Sequence, residues 1–150
     1  MRATCREGAG MAKVQFQVEP HPAPQDEAVL RAGIVKFNVS CIHEQASHFC
    51  LFARDDGQLI GGASLWQHSD AFYIDVLWFE DNYRRQGLGS ALLDRLDKQA
   101  VSAGIKKIFV DTFSFQARDF YEKNGFAVIA CVPEYLLGHD RYFLKKSLSF

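Results

Sequence analysis

The stretch Tyr83-Arg84-Arg85-Gln86-Gly87-Leu88-Gly89-Ser90 gathers charge and glycine just ahead of a helical apolar stripe. The first turn of a helix leaves backbone N–H groups without intrahelical partners, and the macrodipole adds partial positive charge there. Two arginines bring full charge, and glycines at 87 and 89 remove Cβ atoms, so an oxygen-rich anion can reach the backbone. The chemistry this suits is binding of a phosphate or pyrophosphate. A P-loop needs GxxxxGK[ST], and no Gly-Lys pair follows here. A dinucleotide fingerprint needs a third small residue where this chain has Leu92. On residue types alone, an anion cradle and a solvated arginine-rich turn both stay open.

A second group is Cys41-x-His43 followed by His48-x-Cys50, which could converge if two short strands paired there. Its spacing matches none of the common zinc frameworks, so packed or exposed side chains are expected and no metal site. With no apolar secretion signal at the N-terminus, Cys5, Cys41, Cys50 and Cys131 read as reduced thiols of a cytoplasmic protein. Residues 1–10 are expected to be a disordered leader, and residues 11–150 a single domain.

These groups must be positioned by a small set of elements. Lys13 to Glu19 alternates Val14, Phe16 and Val18 with glutamines, which predicts a half-buried strand. After a proline-rich turn, a helix is expected from Gln25 through Val39, with Gly33 inside it. His48–Arg54, Leu59–Trp66 and Ala71–Phe79 read as three strands joined by the turns at Asp55-Asp56-Gly57 and His68-Ser69-Asp70. Leu88, Leu92, Leu93, Leu96 and Ala100 then form the stripe of a helix that Gly104 closes. Lys107–Thr112 reads as a buried strand, Gln116–Lys123 as a short helix, and Phe126–Val132 and Arg141–Leu148 as closing strands. The order βαβββαβαββ predicts an α/β fold whose mixed, mostly antiparallel sheet is flanked by helices.

Here the chain resembles the GNAT N-acetyltransferase superfamily. R-x-x-G-x-G at Arg84, Gly87 and Gly89, after a strand and opening a helix, looks like that family's acetyl-CoA signature. The later block from Ala117 through Phe120, Tyr121 and Gly125 to Phe126 is similar to its FYEKxGF motif. The resemblance spans residues 13 to 148 and the element order agrees.

The resemblance implies acetyl-CoA as co-substrate and direct transfer of acetyl to an amine within a ternary complex. Backbone groups of Leu77, Trp78 and Phe79 would meet pantetheine, with an N–H near Leu77 stabilising the oxyanion. Arg84, Arg85, Gln86, Gly87, Leu88, Gly89 and Ser90 would hold the pyrophosphate. Tyr121 matches the tyrosine that protonates the departing thiolate. A glutamate base of one subfamily corresponds to Tyr73, so Asp75, two residues on, is the expected substitute, with Glu80 second. Ser114 stands where many relatives carry an asparagine that contacts the cofactor. Cys131 is not expected to be acylated, since relatives transfer acetyl directly. Relatives are often dimers, so a homodimer is an expectation too. A non-catalytic CoA-binding module and a user of another acyl-CoA are the alternatives.

Composition limits the partners. The 150 residues carry a net charge of -1, so no global basic field exists to draw nucleic acid, and any anion must be held by local geometry. The longest apolar runs fall far below the roughly 18 residues that span a bilayer. Thirteen Phe, five Tyr and two Trp are plentiful for a small domain: most must fill a core, and some can line an acceptor pocket. Phe37, His43, Trp66, His68, Tyr73 and His139 are candidates for that wall. With Asp75 they would suit a small cationic amine through cation–π contact and a carboxylate.

Overall fold

The computed structural model describes residues 13–149; the expected leader at 1–10 lies outside the described residues. The chain divides after Cys41 into two compact units.

The first unit is dominated by helix α1 (Pro24–Ile42), whose leading proline and acidic Asp26 and Glu27 suit a helix start. The strand expected at Lys13 to Glu19 does not form: those residues join no ladder. Alternation marks one apolar face, but a strand also needs a neighbour to satisfy its N–H and C=O groups. Phe16 and Val18 are accordingly 96% and 94% exposed.

The second unit is a six-stranded sheet. Strands β1 (Ser47–Asp55), β2 (Gln58–His68) and β3 (Ala71–Phe79) form an antiparallel meander, as the sequence predicts. Asp56 and Gly57 join the first two with φ of 46° and 82°, the paired positive values of a type I′ turn. Helix α2 (Leu88–Ser102) then crosses over to β4 (Lys107–Phe113), which lies parallel to β3. Helix α3 (Arg118–Lys123) leads to the hairpin of β5 (Ala127–Leu136) and β6 (His139–Ser147). The sheet order is β1-β2-β3-β4-β6-β5. The hairpin runs further than the sequence suggests. Pro133 and a register shift between Val132 and Leu136 are tolerated because β5 is an edge strand.

The core lies between the sheet and α2. Leu92, Leu93, Leu96 and Ala100 are buried, meeting Leu65, Phe72, Ile74, Ile108 and Leu144. Each such leucine stabilises the fold by about 1.5–3 kcal/mol relative to exposure. The end of α2 is a Schellman motif: Ile105 N–H donates to Ala100 O at 2.9 Å and Gly104 N–H to Val101 O at 3.1 Å. The end of α3 repeats it. Phe126 N–H donates to Tyr121 O at 3.1 Å and Gly125 N–H to Glu122 O at 3.2 Å, with Gly125 at φ 90°. The apolar contact of that second motif is Tyr121 against Phe126, ring centroids 5.4 Å apart.

Helices α2 and α3 meet where Gly89 faces Phe120; a Cβ on Gly89 would stand 2.9 Å from the ring. Close helix contact therefore favours glycine here, because a Cβ would force the tip of the half-buried Phe120 ring to shift. Gly89→Ala should lower stability by about 1–3 kcal/mol, the usual cost of overpacking, read as the urea midpoint. An unchanged midpoint contradicts this packing.

Candidate active site

The site begins with a single extra residue. Between β2 and β3 the register passes from Leu65↔Ile74 to Ser64↔Val76, leaving Asp75 unmatched as a bulge. Side chains alternate along a strand, so one inserted residue exchanges the faces beyond it. Phe72 and Ile74 enter the core before the bulge and Phe79 enters after it, although their parities differ.

The bulge coincides with a fork. Parallel pairing of β3 with β4 stops at Ile74↔Val110. Beyond it, β3 stays with β2 as far as Gly61↔Phe79, and β4 stays with β6 as far as Phe113↔Arg141. Backbone groups of β3 after Ile74 that face β4 thus have no strand to pair with among the described residues. Leu77, Trp78 and Phe79 form one wall of a cavity of about 540 Å³.

The opposite end of that cavity is the start of α2. Arg84, Arg85, Gly87, Leu88, Gly89 and Ser90 line it. Gly87 is the helix N-cap at φ 78°, and no side chain caps the first turn, so its leading N–H groups stay open. Arg84 is partly committed: its Nε donates to Phe79 O at 2.9 Å, and Nη1 pairs with Asp81 Oδ1 at 2.9 Å. It bolts the end of β3 to the loop. Arg85 makes no ion pair among the described residues. Gln86 donates to Asn82 O at 2.8 Å and is not on the cavity wall.

Tyr83, Phe115, Gln116, Ala117 and Phe120 complete the lining. Tyr83 opens the stretch singled out in the sequence and Ala117 and Phe120 belong to the second motif block, whereas Phe115 and Gln116 lie outside the residues expected from sequence. Gln116 holds its place by accepting from Phe113 N–H at 2.8 Å and Thr112 Oγ1 at 3.2 Å. Ser114 lies in an adjoining cleft with Arg118, Asp119 and Tyr142. Its hydroxyl is engaged with the β6 start, accepting from Asp140 N–H at 3.2 Å and lying 3.3 Å from His139 Nδ1.

Tyr121, 5% exposed, stacks edge-on against Phe120 and Phe126 and is not on the cavity wall. Burial, then the charge of Asp111, pushes its phenol up to about 12. Asp75 is exposed at the bulge, and its charge is felt by Tyr73. Glu80 sits past the end of β3, where its N–H donates to Ile60 O at 2.9 Å.

The sheet face opposite α2 carries an ionic group the sequence did not announce. Asp111 of β4 accepts from Tyr73 Oη at 2.5 Å through Oδ1. Through Oδ2 it accepts from Arg141 Nε at 2.9 Å and Nη2 at 2.6 Å. Three rings surround that guanidinium: Phe113, Tyr135 and Phe143 at 4.8–5.5 Å. Only strand pairing brings Asp111, Tyr73 and Arg141 together.

Of the expected acceptor wall, Trp66 and Tyr73 are cross-strand partners. His48 lies 4.9 Å from Trp66, centroid to centroid, and meets Ser64 Oγ at 2.7 Å; His139 packs on Phe115. Phe37 lies on α1, in the first unit. Among the described residues no three His, Cys, Asp or Glu side chains gather at metal-binding spacing. No described helix is long and apolar enough to cross a membrane.

Comparison with known proteins gives this geometry its family. Blasticidin-S acetyltransferase of Streptomyces morookaense is 33% identical over 93 residues, covering 61% of this chain and 68% of that protein. The crystal structure of an acetyltransferase from Bacillus cereus superposes with a TM-score of 0.73 at 26% identity, covering 88% of this chain and 98% of its own. A crystal structure from Agrobacterium tumefaciens reaches 0.82 at 23% identity, covering 90% and 100%, and shows the same fold. The sequence profile of the Acetyltransferase (GNAT) family matches residues 12–126. With the signature at the start of α2 and the fork beside it, the chain belongs to the GNAT acetyltransferase family, an acyltransferase with acetyl-CoA as its co-substrate.

Proposed function

We propose that the protein is an N-acetyltransferase that moves acetyl from acetyl-CoA directly to a primary amine of a small molecule or peptide. The observation that carries this reading is the fork: unpaired β3 backbone opens into the same cavity as the uncapped start of α2. Pyrophosphate oxygens fit the α2 N–H groups and Arg85, with Arg84 adding charge from its anchored position. Pantetheine lies along Leu77 to Phe79, and the Leu77 N–H is the donor for charge developing on the acetyl oxygen.

The acceptor amine gives up its ammonium proton to Asp75, which is exposed at the bulge and can return that proton to water. The neutral nitrogen then attacks the acetyl carbon, the C–S bond breaks, and the sulfur leaves as thiolate. Tyr121 serves that thiolate. A phenol near 12 stays protonated at working pH. Complete transfer to a thiolate whose conjugate acid lies near 8.5 is uphill by roughly 3.5 units, so Tyr121, packed directly on Phe120 of the cavity lining, acts as a hydrogen-bond donor to a sulfur that departs toward it. Exposed, free Cys50 and Cys131 suit a reducing compartment, which supports a cytoplasmic site of action.

Tyr121→Phe should lower kcat by about 10²-fold while acetyl-CoA affinity by calorimetry changes by less than about twofold. Parental turnover in that variant removes Tyr121 from the mechanism. Arg85→Ala should weaken acetyl-CoA by about tenfold at constant Tm, whereas Arg84→Ala should weaken it and lower Tm through the lost tie to Phe79. Undetectable acetyl-CoA binding by the parent overturns the whole reading. The raised phenol also sets the pH profile. A group that holds its proton above its ordinary value of about 10 gives kcat no descending limb below that pH. A limb there that Tyr121→Phe abolishes contradicts the assignment.

A further inference from the structure

Asp111 is a carboxylate with both oxygens engaged. Oδ2 takes two donors from Arg141 and Oδ1 takes one from Tyr73, and the side chains of Asp111 and Arg141 are only 14% and 24% exposed. It is therefore poorly placed to be the base. A carboxylate has no hydrogen to give, so at this contact the Tyr73 hydroxyl must donate. A phenol has a single O–H, and once that is committed its oxygen offers only lone pairs to anything else. Tyr73 is half-buried, stands opposite Trp66 in the ladder, and lies close enough to Asp75 to feel its charge.

We propose that Asp111 is a positioning residue that fixes the hydrogen-bond polarity of Tyr73, so that the acceptor subsite beside Asp75 presents a lone-pair acceptor and selects substrates that bring N–H donors. The inference rests on the N-acetyltransferase reading and deepens it by naming what distinguishes acceptable from unacceptable ligands. An ammonium group has three donors and no lone pair, so it satisfies Tyr73 and Asp75 together. A carboxylate or carbonyl in the same place would face lone pairs and a negative charge. Discrimination of this kind is strong, because a rejected ligand leaves a polar group of the site unpaired. Burial and the bond to Asp111 push the Tyr73 phenol up to about 12, which keeps the proton in that bond.

Arg141 makes the device reversible by one substitution. In Asp111→Asn, the two Arg141 donors require the carboxamide oxygen on their side. That turns the amide NH2 toward Tyr73, whose hydroxyl must then accept from it and rotate its own hydrogen toward the substrate. The polarity of the subsite inverts with little change of shape.

Kinetics on purified parent, Tyr73→Phe, Asp111→Asn and the double variant test this. The probe is the best-turned-over member of a panel of primary alkylamines, diamines and amino acids, followed by CoA thiol release. Tyr73→Phe is expected to raise KM for the amine about tenfold, the loss of one good hydrogen bond, with KM for acetyl-CoA within about twofold. Asp111→Asn should do the same without touching the amine, and the double variant should be no worse than either single one. The carboxylic acid isosteric with the amine should inhibit Asp111→Asn at least about tenfold better than the parent. An unchanged amine KM in Asp111→Asn, or equal rises in both KM values, overturns the inference while leaving acetyl transfer intact. Should Asp111→Asn fail to fold, Tyr73→Phe decides alone: a parental amine KM overturns the proposal. No turnover with any amine, despite normal acetyl-CoA binding, refutes the amine reading and the inference with it.

Discussion

Most of this molecule's function depends on where β3 and β4 stop exchanging hydrogen bonds. Parallel strands gain stability from every rung, so leaving β3 unpaired after Ile74 sacrifices rungs a longer ladder would have supplied. The loss is offset on both sides, because β3 continues on β2 and β4 continues on β6. The unpaired groups are kept from wandering by what closes the ends. Asp111 bridges the apex through Tyr73, and Arg84 ties the far end through Phe79 O. An unpaired backbone edge is ordinarily a cost; held open at fixed geometry, it offers the donors and acceptors that the proposed pantetheine site requires.

The anion end answers the absence of bulk charge. A net charge of -1 supplies no attraction at long range, so affinity has to come from contact. The groups available at the α2 start are of two kinds: helix N–H groups fixed by the fold, and arginine side chains that must be ordered. Anchoring Arg84 to Asp81 and Phe79 removes much of its ordering cost before any ligand arrives, at the expense of sharing its charge. Arg85 keeps its full charge and its freedom. The division suits a site that must hold a product it later releases.

Local features of this fold were readable from sequence, and non-local ones were not. The meander was legible because Asp56-Gly57 is a type I′ turn between alternating runs, and α2 because Leu92, Leu93, Leu96 and Ala100 fall on one stripe. Both rest on residues within a few positions of one another. The strand expected at Lys13 to Glu19 failed because alternation carries no information about a partner. Asp111 and Arg141 are thirty residues apart and meet only through the β4–β6 register. Pro133 hid the length of β5, since its tolerance depends on edge position, which strand order alone determines. The arginine- and glycine-bearing start of α2 was legible because its residues are consecutive, whereas Phe115 and Gln116 reach the cavity through a loop whose path is set by Thr112 and Phe113.

The second motif block illustrates how a short string can encode position as much as chemistry. In Phe120-Tyr121-Glu122-Lys123-Asn124-Gly125-Phe126, a single tyrosine is the candidate to act on substrate, yet the other residues determine where it stands. Gly125 permits the left-handed turn that brings Phe126 N–H back to Tyr121 O, and Phe126 then packs on the ring it has just anchored. Phe120 presses on Gly89 at the start of α2, so the tyrosine's helix and the anion cradle are located by the same contact. A helix of six residues has little intrinsic stability, and without these tertiary contacts its tyrosine would sample many positions. Burial also raises the phenol to about 12 and makes it a persistent donor rather than a ready acid. Position and protonation state therefore come from one packing arrangement, and neither can be changed without the other.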